Sequence, residues 1–299
     1  MRLAVIMRVL WICLLVGGSP SPLAALNPSS NPDPAGDAAT FPQLSPLATI
    51  QQTVGTTVIT VTYHRPAVRG RAIWGALVPY GQVWRAGANE STTIRFSDPV
   101  KIQDHKIPAG TYSLFMIPQD GSWTVILNRR ARQWGAFEYD PRQDVLRVEV
   151  MPRPSGYTEW LTYALDPTSD STAYVQLFWE KLKVSLLVEV NTEAMVHARM
   201  KKLFAQRPGD WRVYSEAAEY GLQQKVPLGQ ALTWADQSIA LQENCTNLAV
   251  KARLLHEAGQ RVQAIGLMGK ALGLAKSQKK TAAITAPLEK DLGDWKREG

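Results

Sequence analysis

From Thr56 the chain alternates apolar and polar residues with a period of two: Ile59, Val61 and Tyr63 lie on one face, Thr60 and Thr62 on the other. Successive side chains of a strand point to opposite faces, so this pattern predicts a strand with one side buried. The same reading predicts strands at 92–97, 100–103, 111–117, 122–128, 144–151, 159–165, 172–179 and 181–190. The last is the clearest, with Leu182, Val184, Leu186, Val188 and Val190 on one face and Lys181, Lys183, Ser185 and Glu189 on the other. Pro118-Gln119-Asp120-Gly121 separates two of these runs and predicts a hairpin over 111–128. About nine short strands with no helix between them describe an all-β antiparallel sandwich of the jelly-roll or immunoglobulin-like kind over 47–190.

Near Asn191 the period changes to that of a helix. Asn191 or Thr192 is placed to cap a helix carrying Val196, Met200, Leu203 and Phe204. Pro208-Gly209 breaks it, and Asp210 is placed to cap a second helix with the stripe Trp211, Tyr214, Ala218 and Leu222. Pro227 suits the first turn of a third. Leu222, Ala231, Leu241 and Leu228 recur as Leu255, Ala264, Leu274 and Arg261, each 33 residues later, with apolar character kept at three of the four, and Gly259 falls where a turn between helices is needed. That repeat predicts tetratricopeptide-like helical hairpins over 191–277. Residues 278–299 carry mixed charges around a lone Trp295 and read as a frayed tail or weak last helix.

The first 25 residues have the layout of a secretory signal peptide. Arg2 and Arg8 precede a short apolar core, VLWICLLV at 9–16, and small residues follow. The core is far shorter than the roughly 20 residues of a permanent span. Residues 26–46, rich in Pro, Ser, Asn and Ala, read as a flexible linker. The expectation is an exported protein, periplasmic or secreted, with no membrane span once the leader is removed. Cys245 is then its only cysteine, so the fold rests on packing rather than on disulfides. The 299 residues carry a net charge of +7, of which Arg2 and Arg8 supply two. The rest is dispersed apart from Lys276, Lys279 and Lys280, which argues against a nucleic-acid partner.

Candidate chemistry concentrates in residues 63–93. This stretch is too polar and glycine-punctuated for a core strand, and too aromatic for disorder. It holds Arg71, Trp74, Tyr80, Trp84, Arg85, Asn89 and Glu90, the residue types that bind a sugar ring or a carboxylate-bearing ligand. The plainer alternative is a loop packed over one edge of the sandwich, with Arg71 or Arg85 paired to Glu90. No catalytic residues, metal ligands or cofactor site are assigned. His64, His105, His197 and His256 are isolated, and nucleophile-elbow and phosphate-cradling motifs are absent. Asp140 and Asp144 are a weak Ca²⁺ candidate, since loop aspartates more often cap turns.

The run YxRPxxxGRxIWGxLVPYGxVWRxGANExT at 63–92 resembles a bacterial exported family known as domain of unknown function 2911. So do IPAGTYSLFMIP (107–118), WTVILN (123–128), QWGAFEYDPRQDVLRV (133–148) and LTYAL (161–165), and the likeness covers about 53–190. The helical 196–276 segment is similar to a C-terminal extension of some members. The resemblance implies an exported β-rich domain and carries over no activity. The expected protein is therefore a binding sandwich with a helical interaction segment, its partner a small molecule, glycan or protein. The alternative is a glycan-directed envelope hydrolase using Glu90 with a second carboxylate, Glu138 or Asp140, as a general acid–base pair.

Overall fold

The computed structural model describes residues 41–224 and 226–298. The expected signal peptide (1–25) and most of the expected linker (26–46) lie outside these residues. Ten strands come first: β1 Leu47–Val54, β2 Thr57–His64, β3 Thr93–Phe96, β4 Val100–Ile102, β5 His105–Ile107, β6 Gly110–Ile117, β7 Trp123–Asn128, β8 Asp144–Val150, β9 Arg153–Pro167 and β10 Thr172–Val190. A single 3-10 turn, Pro141–Gln143, interrupts them. Six helices follow: α1 Thr192–Gln206, α2 Trp211–Gln223, α3 Leu228–Leu241, α4 Cys245–Glu257, α5 Arg261–Ser277 and α6 Ala282–Arg297.

The strands form two sheets, ordered β1-β2-β3-β6-β7-β8 and β5-β4-β10-β9, with every pairing antiparallel. One hydrophobic core draws on both. Phe96, Leu114, Val125 and Leu127 come from the larger sheet; Leu161, Leu177, Val184 and Leu186 come from the smaller. The expected hairpin is present as β6 and β7.

Three differences from the sequence reading have physical causes. The strand β1 follows directly on the expected linker and has no clear period in the sequence, because as an edge strand it is largely exposed and needs little apolar content. The three-residue β5 is too short to show a period. The runs at 172–179 and 181–190 are one strand, because the chain continues through a bulge where Glu180 takes a positive φ of 56°.

In the helical segment, Asn191 Oδ1 accepts from the Ala194 amide at 3.0 Å and Asp210 Oδ1 from the Arg212 amide at 3.1 Å, as capping requires. Pro227 stands at the N-cap, one residue before the first helical position. Of the two readings of residues 278–299, tail or last helix, the helix is formed: it is α6, anchored by buried Leu288 and Trp295. Trp295 stacks on His256 at 4.4 Å, and its carbonyl accepts from Arg261 Nε at 2.9 Å. Two buried residues in sixteen leave too faint a periodicity to be read from sequence.

The helix α1 ties this segment to the strands. Thr192 Oγ1 donates to the Asp170 carbonyl at 2.6 Å, in the β9–β10 turn. Arg199 pairs with Asp98 at 3.0 Å and donates to the Thr56 carbonyl, in the β1–β2 turn. That turn is led by Gly55 at φ 57°, where an added Cβ would overlap Thr192 Oγ1.

Gly221 marks the tightest helix crossing, since a Cβ built there would lie 2.7 Å from Ala231 Cβ. Replacing a helix-interior glycine by alanine ordinarily stabilises by about 0.5–1 kcal/mol. At Gly221 the overlap reverses the sign. Gly221→Ala is expected to lower the unfolding free energy by about 1–3 kcal/mol, read from urea denaturation.

Candidate functional site

Residues 65–92 leave the larger sheet at the end of β2 and return to it at β3, and main-chain bonds hold the excursion at both ends. Its first part runs along the free edge of β9: the Leu161 amide donates to the Pro66 carbonyl at 2.9 Å, and the Val68 amide to the Glu159 carbonyl at 2.8 Å. Arg65 adds bonds to the Leu161 carbonyl and Thr162 Oγ1. Its last part pairs with the end of β6 that β3 leaves uncovered, Trp84 and Met116 exchanging both main-chain bonds at 2.8 and 2.9 Å. An edge strand exposes unpaired amides and carbonyls, so this segment covers the edge of one sheet while lengthening the other.

Side chains lock the two parts together. Trp74 packs edge-on against Trp84, Trp123 and Trp179, with centroids 5.7, 4.7 and 5.7 Å away. Trp84 stacks on Trp179 at 5.9 Å and 15°. Deeper still, Tyr163 Oη donates to the Ala86 carbonyl at 2.9 Å, and burial pushes this phenol well above its ordinary pKa. Tyr63 Oη accepts from the Tyr163 amide at 3.1 Å.

Above the tryptophans is a cavity of about 340 Å³. Of the seven expected residues it gathers four, Arg71, Trp84, Arg85 and Asn89, and adds Arg69 and Trp179. Trp74 and Tyr80 are elsewhere. Trp74 is half-buried in the aromatic cluster, and Tyr80 lies across Gly75, exposed. Arg71 spends Nε and Nη2 on the Val68 and Ala67 carbonyls, at 3.0 and 2.6 Å. Arg85 makes no side-chain hydrogen bond or ion pair with any described residue, and its Nε is sealed from solvent without an acceptor. Burial holds its guanidinium below the ordinary arginine pKa. The charged groups lining the cavity are all arginines, and no Asp or Glu among the described residues joins them.

The expected pairing of Glu90 with Arg71 or Arg85 is not formed. Glu90 Oε2 lies 2.7 Å from His64 Nε2 instead. The other ring nitrogen of His64 is 2.9 Å from the Ser45 carbonyl and 3.1 Å from Asn89 Nδ2. This buried histidine thereby fixes Ser45, one wall of the cavity, beside Asn89. Glu138 pairs with Arg130, and Asp140 with Arg142 at 2.9 Å. Asp140 caps the 3-10 turn, as loop aspartates commonly do. Asp144 accepts from Asn128, Tyr139 and Arg147, and burial with that bond pushes the Tyr139 phenol up to about 12.

His64, Arg69 and Trp179 were missed as partners of the site. Arg69 and His64 sit inside the quoted motif, so proximity in sequence was a usable signal. Trp179 lies 95 residues beyond Trp84 and had none. The loop joining β7 to β8 was missed too. It pairs Gly135 N with the Asn89 carbonyl and Ser91 N with the Gln133 carbonyl, and a Cβ at Gly135 would reach within 3.7 Å of Arg85 Nη1.

The fold and site thus define a two-sheet domain with an arginine-lined cavity, followed by a helical array. Residues 45–188 match the family model described as "Protein of unknown function (DUF2911)". No curated protein and no solved structure matches the chain.

Tyr163→Phe removes one of the two donors to the Ala86 carbonyl, the other being Thr92 Oγ1. The expected cost is about 0.5–1.5 kcal/mol. Trp179→Ala opens the aromatic cluster and is expected to cost about 3–5 kcal/mol. Chemical denaturation measures both.

Proposed function

We propose that the chain is an exported, non-catalytic binding protein whose two-sheet domain takes a small ligand in the arginine-lined cavity. One observation carries the reading: Arg71, Trp84, Arg85 and Asn89, drawn from a single excursion, share a concave wall with Arg69 and Trp179. Its volume falls at the small end of the ~300–1,000 Å³ typical of ligand pockets, which suits one ring or a short chain. Stacked indoles and a planar guanidinium match a sugar ring or a carboxylate-bearing molecule. Export, to the periplasm or beyond the cell, is supported by the basic and then apolar N-terminal pattern.

The helical segment is read as tetratricopeptide-like. Support comes from two successive antiparallel hairpins, α2–α3 and α4–α5, and from Ala231 and Ala264, both fully buried one repeat apart. Its bracing role is supported by the bonds of α1 to the turns of the strand domain. The hydrolase reading has less support. His64 takes the carboxylate of Glu90, and arginines take those of Glu138 and Asp140.

The test is thermal shift and tryptophan fluorescence on the full chain with neutral sugars, amides and carboxylates. Leu77 lines the cavity yet is exposed, so Leu77→Trp fills the mouth without repacking the core. The expected result is saturable binding by the wild type and none by Leu77→Trp, with the melting temperature of the free protein unchanged. Equal binding by both proteins would place the ligand elsewhere.

A further inference from the structure

We infer that the ligand of this cavity is a small carboxylate, and that Arg85 is the group that pairs with it. This rests on the binding reading above and narrows it to one chemical class.

Charge comes first. Three guanidinium groups, those of Arg69, Arg71 and Arg85, line the cavity, and no carboxylate among the described residues does. Two of the three are engaged by protein oxygens. Arg71 is held by the Ala67 and Val68 carbonyls, and Arg69 donates to the Leu44 carbonyl at 3.3 Å while its amide donates to Glu159 at 2.9 Å. Arg85 has no side-chain partner among the described residues. An unpaired, partly buried charge destabilises a fold unless something compensates it.

The acid best placed by sequence to compensate Arg85 is Glu90, and His64 takes that acid. Glu90 is therefore paired, while Arg85, five residues before it, has no partner among the described residues. Burial holds the Arg85 guanidinium below its ordinary pKa, in keeping with a cation short of an anion.

Geometry chooses the anion. A guanidinium presents parallel N–H groups that match the two oxygens of a carboxylate, and the pair is flat. The adjoining wall is aromatic, lined by Trp84 and Trp179, whose rings stack on each other. Apolar Leu77, Val78 and Ala88 complete it. One free guanidinium beside an apolar, aromatic wall fits a singly charged planar head on an apolar body. A tetrahedral dianion such as phosphate would call for several free donors, and Arg69 and Arg71 have already committed part of theirs.

The experiment uses the full chain with five probes: benzoate, its neutral isostere benzamide, succinate, inorganic phosphate and N-acetylglucosamine. Tryptophan fluorescence titration and thermal shift report binding to wild type, Arg85→Gln, Arg85→Lys, Arg85→Met and Leu77→Trp. The expected result is saturable binding of benzoate or succinate. Benzamide and Arg85→Gln should each lose roughly ten- to a hundredfold in affinity, the effect of removing a charge-assisted pair. Arg85→Lys should recover part of the loss. Free Arg85→Met should melt at or above the wild-type temperature, since a desolvated charge is gone. A purely structural arginine would instead lower it.

Binding of benzamide or N-acetylglucosamine that Leu77→Trp abolishes, with carboxylates inert, would overturn the carboxylate inference and leave the binding reading standing. So would preference for phosphate, or benzoate binding unaffected by Arg85→Gln. Failure of every probe would overturn both.

Discussion

The architecture around the candidate site depends on four indole rings, those of Trp74, Trp84, Trp123 and Trp179, meeting where the two sheets share their core. They come from two sheets and from the excursion between β2 and β3. A segment rich in glycine and arginine has little reason to hold one conformation, because ordering each residue costs about 1–2 kcal/mol of backbone entropy. Aromatic contacts of this kind are worth about 0.5–1.5 kcal/mol each beyond the area they bury. Together with the main-chain bonds to β9 and β6, they turn an irregular segment into a rigid wall.

That rigidity has a consequence for charge. With Trp84 fixed in the core and paired to Met116, the backbone anchors Arg85 beside the cavity. Its guanidinium stays partly desolvated beside the cavity, while the carboxylate five residues on is drawn to His64. Unpaired buried polar groups cost stability, and folds keep them mainly where function requires it. The helical segment contributes from a distance: α1 bonds to the β1–β2 and β9–β10 turns at the other end of β1 and β2 from the site.

Much of this was legible beforehand, and the exceptions are physical. β2 and the second half of β10 alternate cleanly because one face of each is buried, so their period survives in the sequence. The strand β1 leaves no clear pattern, and α6 stays undecided between tail and helix, because each buries few side chains, an edge strand by exposure and a terminal helix by polarity. In the site, Arg71, Trp84, Arg85 and Asn89 were found together because one segment supplies them all. Trp74 was misplaced because an indole is equally at home in a pocket wall and in a core. Glu90 was assigned the wrong partner because nearness in sequence favoured arginines, while β2 ends by delivering His64 to its side.

By itself the sequence determined the order of strands and then helices and the segment that supplies the cavity's arginines. Each of these depends on local periodicity or on residues close along the chain. Only the tertiary structure decided which cation meets which anion, that Trp179 faces Trp84 across 95 residues, and that Arg85 finds no side-chain partner among the described residues. Those outcomes are set by which sheet edge each segment covers, a choice made by long-range packing that no local pattern records.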